Sequence, residues 1–186
     1  MNFAMNMNLR AAVTACFAVI AVVFPSILAA QIPSAKDVVK PSAFPSFEPV
    51  SRGKQMEIAV VMKIHDGYHV NARLTTFDYL IPTDLKVETP AGFKAGEVKY
   101  PKGTLRKFNF SKDGSLNVYT GTVVLRLPVA VAADAPLGEQ HVALKLHYQA
   151  CSTDVCLPPV TLPMDAVIHV SAQESHPSHT ELFPKQ

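Results

Sequence analysis

The strongest constraint on this chain is an alternation of apolar and polar side chains that recurs in separate stretches. Met56, Ile58, Val60, Met62 and Ile64 interleave with Glu57, Ala59, Val61, Lys63 and His65. Val142, Leu144, Leu146 and Tyr148 interleave with His141, Ala143, Lys145 and His147, and Leu162, Met164, Ala166, Ile168 and Val170 form a third run. A period of two puts each apolar set on one face of an extended strand, and that face must be buried against another sheet. Leu116 to Leu127, rich in Val, Thr, Tyr and Leu, reads as a long strand stopped by Pro128. Asp84 to Glu88 and Gly96 to Tyr100 are shorter candidates, and Asp66-Gly67 signals a turn into a strand beginning within Tyr68 to Asn71.

No window carries the spacing of an amphipathic helix. Seven or more strands separated by turn residues predict an all-β chain, an antiparallel two-sheet sandwich of immunoglobulin-like type. The lack of tryptophan and of a long-range cysteine pair argues against a true antibody domain.

The ends read differently. Met1 to Leu9 is Asn-rich, Arg10 supplies a positive charge, and Ala11 to Phe24 is apolar apart from Thr14. Pro25, Ser26, Ala29 and Ala30 then precede a cleavage point before Gln31, so residues 1–30 read as a signal peptide. An uncleaved apolar anchor is the competing reading, and membrane contact is expected only in that case. Prolines at 33, 41, 45 and 49 mark residues 31–50 as an extended leader whose Phe44 and Phe47 dock on the body. Residues 51–170 form the domain, and the polar residues 171–186 a loose tail. Net charge is +2 and no basic stripe with interleaved aromatics is present, which argues against a nucleic-acid partner.

With Cys16 inside the export segment, Cys151 and Cys156 are the cysteines left in the mature chain. Export places them where disulfides persist. A bridge between them closes a ring worth roughly 2 kcal/mol by chain entropy, against about 4.7 for a hundred-residue loop. A chain with a core of this size has no need of so small a staple, so the pair suits reversible opening and closing. Cys151 ends a strand and Cys156 precedes Leu157-Pro158-Pro159, which places the pair at the mouth of a hairpin. Asp154 between them opposes thiolate formation, whereas His147 or Lys145 would favour it if turned toward the sulfurs. Phe108 and Phe110, in the otherwise polar stretch Gly103 to Gly114, either pack over the disulfide as a lid or plug the end of the sandwich.

These residues resemble a family. Asp66-Gly67-Tyr68-His69, Leu80-Ile81-Pro82, Val118-Tyr119-Thr120-Gly121 and Tyr148-Gln149-Ala150-Cys151 with Cys156-Leu157-Pro158-Pro159 stand in the order found in the N-terminal periplasmic domain of the thiol:disulfide interchange protein DsbD, also called the disulfide bond corrector family. The resemblance covers roughly Ser51 to Val170, and the Tyr-Gln-x-Cys…Cys-x-Pro-Pro element is its specific part. It implies an immunoglobulin-like sandwich whose two cysteines cycle between dithiol and disulfide, without a cofactor. It also implies a periplasmic protein that takes electrons from a membrane thiol-relay protein. Those electrons pass to thioredoxin-like or isomerase proteins, including ones serving cytochrome c maturation. By position, Phe108 or Phe110 matches the family's cap phenylalanine and Tyr68 an aromatic near the site, with Tyr148 beside it; the cysteine expected to meet partners is Cys156.

Three departures stand out. Four residues separate the cysteines where some members have five, and Arg106-Lys107 stand where some members are acidic. The chain carries neither a multi-span relay nor a thioredoxin-like domain, so it is expected to act as a separate polypeptide or to have lost the pathway. Two other readings remain open: a non-enzymatic exported adaptor whose disulfide pins a hairpin, and a soft-metal site at His147, Cys151 and Cys156 with His69 or His65.

Overall fold

A computed structural model of the chain describes residues 33–111 and 114–183; the segment read as a signal peptide lies outside them. The described residues form β1 (Val39–Pro45), β2 (Val50–Ser51), β3 (Gln55–Ile64), β4 (His69–Asn71), β5 (Asp84–Glu88), β6 (Phe93–Ala95), β7 (Thr104–Arg106), β8 (Leu116–Tyr119), β9 (Thr122–Val131), β10 (Gly138–Tyr148), β11 (Ala150–Cys151) and β12 (Val160–Ser171). A single 3-10 turn, Thr180–Leu182, is the helical element among them.

Three sheets result, in the orders β1-β3-β9-β6, β2-β12-β10-β5 and β11-β4-β8-β7. The first two are the layers of an immunoglobulin-like sandwich. Ile58, Val60 and Met62 of β3 and Leu125 and Leu127 of β9 share one core with Leu144 and Leu146 of β10 and Ile168 of β12, all essentially without solvent contact. These are the alternating positions of the sequence, so the period-two pattern is what closes the sandwich. The third sheet extends three of the long strands past a break, with β4 following β3, β8 preceding β9 and β11 following β10. It sits at one end of the body and carries the cysteines.

Four expectations need correction. The described part of the expected leader 31–50, residues 33–50, is not a leader outside the domain. Within them β1 pairs antiparallel along β3 and β2 runs parallel beside β12, with Val38, Val39 and Val50 buried. His65 N–H donates to the Val38 carbonyl and Ser46 N–H to that of Glu57, so even-numbered residues of β1 face β3. Pro41 and Pro45 therefore turn their hydrogen-free nitrogens away from the ladder, as an edge strand tolerates.

Residues 171–186 are not a loose tail up to the limit of description. Ser178 N–H donates to the Ser46 carbonyl, Glu48 N–H to the His176 carbonyl and His176 N–H to the Pro49 carbonyl, and the Phe44 and His179 rings lie 4.7 Å apart. The long strand from Leu116 is broken at Gly121, whose φ of 66° a side chain would oppose and whose carbonyl accepts from Ile64 N–H. Nor does Pro128 stop it, since β9 continues to Val131. The Pro128 carbonyl accepts from Gly96 N–H just past the end of β6, so its missing N–H falls where that neighbour has already left the sheet. Finally, Gly96 to Tyr100 contributes only a bridge at Lys99, the neighbouring strand lying earlier, at Phe93–Ala95.

Candidate functional site

Ala150 and Cys151 leave β10 after one intervening residue and pair antiparallel with Val70 and His69 of β4. The chain then turns tightly: Ser152 N–H donates to the Val155 carbonyl, Leu157 N–H to the Ala150 carbonyl, and the Ser152 hydroxyl accepts from the amides of Asp154 and Val155. This turn brings Cys156 back against Cys151 as an isolated bridge, with Cα atoms 3.9 Å apart and the sulfurs bonded at 2.01 Å. Pro158 and Pro159 follow, and β12 starts at Val160. The ring is closed by local backbone bonds as well as by sulfur.

The two sulfur-bearing residues differ in access. Cys151 is 2% exposed, whereas Cys156 and the residues from Thr153 to Val155 are exposed. Of the two, Cys156 is the one that solvent reaches.

Over the neighbouring strand lies an aromatic stack. The His69 imidazole, also 2% exposed, lies against the Phe108 ring with centroids 3.9 Å apart and planes 14° from parallel. Phe110 continues the stack, 5.5 Å from Phe108 and partly exposed. Both phenylalanines sit just after β7, a three-residue strand with every side chain exposed. A cleft of about 200 Å³ opens beside them, lined by Tyr68, His69, Arg106, Phe108 and Thr153. The cleft joins the aromatic segment to the loop between the cysteines.

The remaining expected residues are placed as follows. Tyr68 packs half-buried at the rim of this cleft, its ring edge-on to His65 at 5.9 Å. Tyr148 points into the core, and its hydroxyl donates to the Ala35 carbonyl at 2.7 Å. Burial pushes its phenol up to about 12, so it stays neutral and acts as a packing residue. His147 lies on the outer face of β10, its Nδ1 2.9 Å from the Thr161 hydroxyl, and Lys145 on that face pairs with Glu88. Asp154 sits at the exposed tip of the turn, accepting from the Thr153 hydroxyl. Among the described residues no three His, Cys, Asp or Glu side chains gather as a metal site, so the ligand set considered from the sequence is not assembled.

Sequence reasoning gave His69 no role in the redox site, naming it in the Asp66-Gly67-Tyr68-His69 run and as a possible metal ligand. Burial, and secondarily the charge of Arg106, hold its pKa at about 4, well below the ordinary 6.5. Among the described residues its Nε2 is one of two buried side-chain polar atoms without a hydrogen-bond partner, the other being Asn71 Oδ1. The only local signal is its place beside the Asp-Gly turn; the pairing with Cys151 is long-range.

A local disulfide with one buried and one reachable sulfur, beside a stacked aromatic segment, has the parts for exchange with an external thiol. The profile of the family described as thiol:disulfide interchange protein DsbD, N-terminal, matches residues 35–166. The N-terminal domain of DsbD from Neisseria meningitidis, solved in the reduced form, is 23% identical with a TM-score of 0.46, over 79% of this chain and 95% of that one. The N-terminal periplasmic domain of ScsB from Proteus mirabilis is 13% identical with a TM-score of 0.45, over 70% of this chain and 45% of that one. None of the curated proteins matches. The family match begins ahead of β1, ends within β12 and takes in both cysteines and the aromatic segment; the chain belongs to the DsbD N-terminal domain family and is a thiol:disulfide exchange domain.

Proposed function

We propose that this protein works in the periplasm, passing reducing equivalents to other proteins through the Cys151–Cys156 pair. The observation that carries the reading is the unequal access of the two sulfurs within one short ring. In the dithiol form the Cys156 thiolate attacks a partner's disulfide, forming a mixed disulfide and releasing the partner's second sulfur as a thiolate. Cys151 then attacks Cys156, the Cys151–Cys156 bond re-forms, and the partner leaves with two electrons and, from solvent, two protons. Phe108, with Phe110, acts as the lid, closing on His69 when no partner is bound.

Family membership supports a membrane thiol-relay protein as the electron donor and thioredoxin-like or isomerase proteins as acceptors, without a cofactor. The apolar segment up to Ala30 supports export.

The test is trapping with Cys151→Ala, which leaves Cys156 to form a mixed disulfide that nothing resolves. Incubation with an oxidised thioredoxin-like protein is expected to give a covalent one-to-one adduct that dithiothreitol releases. Absence of any adduct, together with a reduction potential below roughly −300 mV for the native pair, would mean a structural bridge in a binding module.

A further inference from the structure

We infer that His69 is the hydrogen-bond partner of the Cys151 sulfur in the dithiol form, and thereby a catalytic residue of the resolving step. This rests on the exchange reading above and deepens it. Directly paired residues of adjacent antiparallel strands project to the same face with Cβ atoms about 5 Å apart. His69 and Cys151 are such a pair, and both are 2% exposed. His69 Nε2 is buried and without a partner while the sulfurs are joined to each other. A buried imidazole nitrogen left unpaired costs stability in that state, and its presence calls for an explanation such as a partner gained in another state.

A disulfide sulfur is a poor hydrogen-bond partner, whereas a thiol donates and a thiolate accepts strongly. Opening the bond therefore creates the partner that Nε2 lacks. The imidazole serves both protonation states by exchanging tautomers: Nε2 accepts from the Cys151 S–H, and Nε2–H donates to the thiolate. The bond to the charged form is the stronger one, so the thiolate gains.

During resolution the Cys151 Sγ–Cys156 Sγ bond forms and the Cys156 Sγ–partner bond breaks. The electron pair leaves on the partner's sulfur, which takes a proton from solvent after Cys151 has lost its own to solvent. His69 gains and loses no net proton in this step; with the disulfide closed, burial and then Arg106 hold its pKa at about 4. The charged and titratable groups facing it are Arg106 on β7 and His65, Asp66 and Tyr68 before β4. Phe108 stacked on the ring holds it in plane and keeps water from taking the sulfur's place.

The test reads the Cys151 thiol in the Cys156→Ala background, by thiolate absorbance against pH, with His69→Phe and His69→Gln beside His69. Phenylalanine keeps the stack but has no nitrogen; glutamine restores an N–H. The Phe variant is expected to hold about tenfold less Cys151 thiolate at pH 7, and the Gln variant to recover part of it. Equal thiol pKa values in all three proteins overturn the assignment. Where the Phe variant fails to fold, nitrogen NMR of the wild-type protein decides. The Nε2 resonance is expected to move on reduction of the disulfide, and an unmoved resonance overturns the assignment equally. Neither readout needs a partner protein, so failure here is distinct from failure of the trapping experiment, which concerns Cys156.

Discussion

The body of the sandwich and the end that carries the sulfurs are held in different ways. In the body, β3 and β9 run ten residues each and β10 eleven, and every second side chain enters one shared core. At the other end, β11 has two residues, β4 and β7 three and β8 four, and β7 is wholly exposed. Apolar burial fixes the first region; in the second β4, β8 and β11 also bury side chains, Val70, Tyr119 and Ala150 in that same core, while β7 and the aromatic segment after it rest on a few backbone pairs and one stack. Local opening draws on the weaker set, so the site end can yield while the body stays intact. A carrier that must uncover a sulfur for each partner benefits from that division.

The division can be broken or sharpened by substitution. Leu146→Ala, deep in the body, is expected to cost about 2–5 kcal/mol in urea unfolding while the reactivity of the native disulfide stays as it was. A change in disulfide reactivity would mean the two regions are one cooperative unit. Cys156→Ala removes the ring but no core packing, so a loss near 2 kcal/mol with retained far-ultraviolet circular dichroism is expected. Unfolding at room temperature would place the disulfide among the determinants of the fold.

The next effect is one of pH. The unfolded His69 imidazole takes up a proton as pH falls through about 6.5, whereas the folded one resists until about 4. Stability is therefore complete above that window and declines within it on acidification, by about 1–2 kcal/mol allowing for solvent screening. His69→Gln should flatten the decline, and an unchanged pH profile would mean the imidazole is not held neutral. Smallest in stability is Phe108→Ala, losing the stack on His69 at about 1 kcal/mol, yet it should speed reduction of the disulfide by small thiols some threefold to tenfold. A rate equal to that of the wild-type protein would reduce Phe108 to a plug.

The body was legible in the sequence because alternation is local: Met56 to Ile64 and Val142 to Tyr148 each declare a buried face without reference to any partner. The cysteine pair was legible for the same reason, both residues lying within one turn. What escaped depends on contacts between distant residues. Pro41 and Pro45 look like linker prolines until β3 is seen to run along their other side. Residues 175–179 look like tail until they meet Ser46 to Ser51. His69 is one histidine among seven, marked locally only by the Asp-Gly-Tyr run before it, and its place opposite Cys151 is a matter of register.

The two prolines of β1 also bear on how copies of this protein meet. An open β-edge invites a second molecule to add its own strand, and growth from there leads to aggregates. At positions 41 and 45 the outward-facing backbone has no hydrogen to offer, so an incoming chain would lose two rungs of any shared ladder. Replacing both with valine would restore the rungs, leaving a margin on which molecules could polymerise.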